Sequence, residues 1–121
     1  MTCLVPLFEP ICEHLEGQLK PYLAGLTGPL VRGYLPQRWV FVTEKETVTF
    51  GVDPNGHAWI KPGPTDGPDV TIETSHLRLS RTLETRDRSQ IPPGPYTRTA
   101  HTSKGQVAYQ LLARRLGLAD P

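Results

Sequence analysis

Alternation of apolar and polar positions is clearest in the middle of the chain. Val48, Phe50 and Val52 alternate with Thr47, Thr49 and Gly51, the period-2 pattern of a strand with one buried face. Upstream, Arg38–Thr43 is rich in aromatic and β-branched residues, and Glu44-Lys45-Glu46 turns it. Downstream, Asp53-Pro54-Asn55-Gly56 is a strong turn signal, because Pro suits the first central position and Gly accepts positive φ at the exit. His57–Lys61 then completes a three-stranded antiparallel meander. A bridge rich in Pro and Gly follows and leads to Asp69–Glu73, a fourth strand with Val70 and Ile72 on one face. The bridge prolines lack N–H groups, so they keep the crossing out of the sheet ladder and stiffen it.

Helical spacing marks three other regions. Ile11, Leu15 and Leu19 fall on one face with Cys12 beside them, which predicts a helix that begins at Pro10 and kinks or ends at Pro21. The apolar run after it is broken by Gly25, Gly28, Pro29 and Gly33, and suits a short helix plus an irregular segment. Ser75 is placed to N-cap a helix whose face carries Leu79 and Leu83, with Leu77 off to the side. Pro92, Pro93 and Pro95 forbid helix, and the Thr-rich run Tyr96–Thr102 predicts an exposed or edge strand. Ser103-Lys104-Gly105-Gln106 has the spacing of a capping box. Val107, Ala108, Leu111, Leu112 and Leu116 form a broad apolar face after it, and Gly117 and Leu118 supply the stop. Arg115 falls inside that arc and snorkels from the helix end. The order predicts a single α+β domain over residues 1–121: a curved, mainly antiparallel sheet of four to five strands with helices packed on one face.

Composition changes this picture little. The chain has 121 residues, 37% apolar and 21% charged, enough for one core. The net charge of +1 selects neither a nucleic acid nor an acidic partner, but the charge is uneven. Residues 1–74 carry five basic and nine acidic side chains, and residues 75–118 carry eight and two. Two solvated faces of one domain account for this asymmetry. The functional counterpart is a basic surface of Arg78, Arg81, Arg86, Arg88, Arg98, Arg114 and Arg115, suited to anionic headgroups, a phosphate-bearing ligand or nucleic acid. Cys3 and Cys12 read as free thiols of a reducing compartment. The N-terminus lacks a basic leader, and no run approaches a membrane span, so a soluble, cytoplasmic protein is expected.

Candidate chemistry is sparse. His14, His57, His76 and His101 show no metal-ligand spacing, and no nucleophile elbow, phosphate loop or dinucleotide fingerprint occurs. The expectation is therefore no enzyme, no cofactor and no metal, with a site joining His76 and His101 as the catalytic alternative. Aromatic residues concentrate in the meander: Trp39, Phe41, Phe50 and Trp59. They serve either as ordinary sheet core or as the wall of an apolar pocket between sheet and helices.

The stretch from Trp39 to Leu83 resembles the SCP2-like sterol-carrier family. The resemblance lies in the meander "WVFVTEKETVTFGVDPNGHAWI", the glycine-containing bridge, and "PDVTIETSHLRLSRTL", an aspartate-led strand entering a Ser-started helix. It implies a tunnel between sheet and helices that holds a sterol, fatty acid or acyl-CoA without chemistry of its own. Trp39, Phe41, Phe50, Trp59, Leu79 and Leu83 are the matching ligand positions, and Arg78 and Arg81 the contacts for an anionic group. Nucleic acid is then not the expected partner, and membrane contact is at most peripheral. Where the family has a Gly-framed apolar strand after this helix, the chain has "RDRSQIPPGPYTRTAHTSKG", which alters one wall of such a tunnel. The alternative is an interaction module that docks protein or nucleic acid through the Arg-rich half.

Overall fold

The computed structural model describes residues 3–24, 33–85, 91, 92 and 94–112. Strands β1 (Gln37–Val42), β2 (Thr47–Val52) and β3 (Ala58–Pro62) form the meander. Strand β4 (Val70–Thr74) joins β1 in parallel, and β5 (Tyr96–Ala100) joins β4 antiparallel. The strand order is β3-β2-β1-β4-β5, an open mixed sheet. Register follows the alternation: Trp39 pairs with Phe50 and Val70, and Phe41 pairs with Val48 and Ile72. These six side chains share one face, and all are buried.

Three helices, α1 (Leu4–Ala24), α2 (His76–Thr85) and α3 (Ser103–Leu112), supply side chains to that same core. Helix α1 starts at Leu4 rather than Pro10, and it runs through both Pro10 and Pro21. An interior proline costs about 3 kcal/mol through the lost hydrogen bond and the ring clash. Tertiary burial offsets it. Leu4, Phe8, Ile11, Cys12 and Leu15 lie on one stripe and are buried, and a fully buried large apolar side chain contributes about 1.5–3 kcal/mol.

Ser75 caps α2 as its position predicts, with Oγ accepting from Arg78 N at 3.1 Å. In α3 the cap is Thr102, one residue before the expected Ser103. Its Oγ1 accepts from Gly105 N at 3.0 Å and donates to Asp69 Oδ1 at 2.8 Å. The buried face of α3 is Gly105, Ala108 and Tyr109, while Leu111 is 63% exposed. Tyr109 sets this rotation: its ring packs 5.4 Å from Trp39, and its hydroxyl bonds that of Tyr96. The positions of Arg115, Leu116, Gly117 and Leu118, and of the broken apolar run at 25–32, lie outside the described residues.

The Pro-Gly bridge covers the opposite face of the sheet. Thr49 and Arg38 point away from the helices, and both donate to the bridge: Thr49 Oγ1 to Gly63 O at 2.7 Å, Arg38 Nη2 to Gly67 O at 3.1 Å. Gly63 and Gly67 hold positive φ, which glycine adopts without a Cβ penalty. Thr49 and Val40 are buried beneath the crossing, so the sheet is covered on both sides of its centre.

Candidate functional site

The six positions proposed to face a ligand separate into two groups. Trp39, Phe41, Phe50, Leu79 and Leu83 meet in one apolar cluster between sheet and helices. Phe8 of α1 completes it, with its ring 5.0 Å from Phe41 and 5.8 Å from Phe50. Trp39 and Phe41 have no surface that a water molecule reaches, so no open space adjoins them in this conformation. Trp39 Nε1 donates to buried Gln37 Oε1 at 2.9 Å, which satisfies the indole inside the core.

Trp59 does not belong to this layer. Ala58 and Ile60 pack toward the core, so the pleat turns Trp59 to the other face. There its ring lies over Gly51, its register partner, where a Cβ would sit 2.1 Å from the ring. Its Nε1 donates to Asp53 Oδ1 at 3.1 Å, and Lys61 Nζ stands over the ring.

The two arginines proposed for an anionic group also part. Arg78 is buried; its guanidinium donates to Gly94 O at 3.2 Å and lies over the Tyr96 ring. It ties α2 to the Pro-rich segment before β5. Arg81 is exposed and stands 4.0 Å from Glu84. Arg98 stacks over Tyr109. Arg86, Arg88, Arg114 and Arg115 lie outside the described residues.

His76 and His101 are engaged in different places. His101 Nε2 meets Thr71 Oγ1 at 2.9 Å, whereas His76, buried at the start of α2, meets Glu46 Oε2 at 3.0 Å. The latter pair is part of a carboxylate clamp built on the β1–β2 turn. Glu46 also accepts from Leu4 N, and Glu44 accepts from His76 N at 2.6 Å. One turn thus caps the N-termini of both α1 and α2, where the helix dipole favours negative charge. Thr43 shapes it, accepting from Glu46 N at 3.0 Å through Oγ1. Glu44 and Glu46 carried no local signal, because their partners lie 30 or more residues away. Phe8 was legible in the spacing Leu4-Phe8-Ile11-Leu15, but Pro6 and Pro10 obscured it.

The hydrogen bond from His76 N holds the Glu44 carboxyl below its ordinary value of 4.5. A depressed carboxyl pKa stabilises the fold fully above the unfolded-state value, and that stabilisation declines below it and is lost as pH falls through the lowered folded-state value. Glu44→Gln is therefore expected to lower stability at pH 7, and the gap to wild type should narrow below about pH 4.5. Urea titrations across pH check this, and a gap that widens in acid would refute the assignment.

Cys3 and Cys12 are free thiols. Burial first, and then the carboxylates of Glu16 and Glu9, push the Cys12 thiol up to about 11, so it stays protonated at neutral pH. No helix among the described residues is long and apolar enough to cross a membrane. No group of three or more His, Cys, Asp or Glu among them is placed to hold a metal ion.

No family model and no curated protein matches the chain. Among solved structures it is similar to one described as "UbiJ-SCP2 Ubiquinone synthesis protein", at 12% identity and a TM-score of 0.45, covering 91% of this chain and 96% of that one.

Proposed function

We propose that the chain is a non-enzymatic binding domain of the sterol-carrier type, which takes a lipid or other hydrophobic ligand between the sheet and its helices. Sterol, fatty acid and acyl-CoA are the ligand classes. The observation that supports this reading is the seating of α2. Its backbone packs against α1 rather than against the strands, and side chains such as Leu79 and Leu83 fill the gap to the sheet. The layer is closely packed, so a ligand enters only when a covering helix moves outward, and α2, seated on α1, is the helix assigned that movement in this reading. A ligand burying roughly 300 Å² of apolar surface would contribute about 7.5 kcal/mol at 25 cal/mol per Å². From that comes the cost of association and of displacing the helix. Of the two arginines Arg78 and Arg81, it is Arg81, on the exposed side of α2 beside Glu84, that meets an anionic headgroup, since Arg78 is occupied within the fold.

The test is native mass spectrometry and solvent extraction of the purified protein, followed by displacement of a fluorescent fatty acid. A bound lipid, or displacement by one range of chain lengths, is expected. The absence of both a bound lipid and displacement at every chain length would defeat the reading.

A further inference from the structure

Away from the apolar layer, a cleft of about 320 Å³ opens between α1 and the β2–β3 turn. Glu13, Glu16, Gly17 and Lys20 line it from one face of the helix, and Asn55 and His57 from the turn. Glu16 anchors the turn: Oε1 accepts from Ala58 N at 2.8 Å and lies 2.6 Å from His57 Nδ1. A carboxylate only accepts, so Nδ1 is the donor in this pair. No ion pair ties Glu13 or Lys20 to another described residue. They stand two helical turns apart, about 10 Å along the axis, with opposite charges.

Gly17 lies between them, and packing does not explain it. A Cβ built there meets nothing within 4 Å. Glycine is a poor residue for a helix interior, since it loses the most backbone entropy on folding and contributes no side-chain contact. Alanine would improve the helix at no steric cost within the protein. A methyl group there would stand in the open space beside the cleft that Gly17 lines.

We propose that this cleft binds a small dipolar molecule, an amino acid or ω-amino acid. Its ammonium group sits on the carboxylates of Glu13 and Glu16, its carboxylate on Lys20, and the chain between them lies on Gly17. With two carboxylates and one ammonium, the cleft favours a cation at one end and needs an anion at the other. A simple amine satisfies only the Glu end, and a simple acid only the Lys end. The site is independent of the apolar layer and of any lipid in it.

Titration of the ¹⁵N-labelled protein with glycine, 4-aminobutyrate and 6-aminohexanoate tests this, with ethylammonium and acetate as single-charge probes. At least one dipolar probe should move the amide signals of Gly17, Gly56, His57 and Ala58 saturably. Both single-charge probes should bind at least about tenfold more weakly, the weight of one charged contact. Gly17→Ala should raise the melting temperature and weaken the best probe, again by about tenfold or more. Lys20→Gln should erase the preference for the dipolar probe over ethylammonium. The proposal is overturned if no dipolar probe shifts these signals at tens of millimolar, a very weak affinity. It is equally overturned if the shifts map elsewhere, or if Gly17→Ala and Lys20→Gln bind as wild type does.

Discussion

Phe41→Ala is expected to cost about 3–5 kcal/mol, the range for truncating a buried phenylalanine. Phe41 is wholly buried in β1, which has β2 on one side and β4 on the other. Val48 and Ile72 are its cross-strand neighbours, and Phe8 meets it from α1. Strands on both sides and a proline-bearing helix above leave few directions for collapse, so most of the cavity should persist. Against a typical domain stability of about 5–15 kcal/mol, the variant is left marginal. Urea unfolding at fixed pH measures the loss, and an unchanged slope with a lowered midpoint would identify it as stability rather than a change in the denatured state. The same variant bears on ligand binding. An apolar cavity between α1 and the sheet is a place for an alkyl chain, and a ligand that fills it restores stability by mass action. A loss below about 1 kcal/mol would show that β1 and α1 repack freely and that the layer is not rigid.

The same residues show why some of this molecule was legible in its sequence and some was not. The meander, the fourth strand and the Ser75 cap follow from local rules: alternation, turn chemistry, and a hydroxyl three residues before an unsatisfied N–H. Tyr96–Ala100 was recognisable as an edge strand because threonine-rich β-formers follow a run that cannot be helix. Failures occurred where a distant partner decides. Pro10 reads locally as a helix start, yet the ring contacts of Phe8 with the sheet and the Glu46 carboxylate that caps Leu4 N carry the helix back to Leu4. Leu111 reads as core, yet Tyr109 wins the face through Trp39 and Tyr96. Trp59 reads as one of a set of meander aromatics, although strict alternation from Ala58 and Ile60 turns it outward. The carboxylate clamp was invisible, because neither Glu44 nor Glu46 announces which helix ends will meet it.

Gly105→Ala brings together the local rule and the distant one with opposite signs, and the distant one should prevail. Within a helix, alanine is favoured over glycine by about 1 kcal/mol. At position 105, however, the added Cβ would lie 2.5 Å from Asp69 O and 2.9 Å from Asp69 C. That obstacle is backbone, and it is held from several directions. Asp69 N donates to Arg38 O, and His101 N donates to Asp69 O, each at 2.8 Å. The Asp69 carboxylate accepts from Arg38 N at 3.0 Å and from Thr102 Oγ1 at 2.8 Å. Relief therefore requires α3 to lift from the junction of β1 and β4, which would also loosen Tyr109 from Trp39. Overpacking of this kind costs about 1–3 kcal/mol and more where the obstacle is rigid, so a net loss of about 2 kcal/mol is expected after the helical gain. For a domain of this size that is a fall in melting temperature of roughly 6–12 °C. Gly17→Ala in α1, with open space around its Cβ, is expected to shift the melting temperature the other way. Scanning calorimetry of the two variants side by side decides the matter. Equal shifts of the same sign would mean that helix propensity alone governs both positions and that Asp69 does not hold α3 in place.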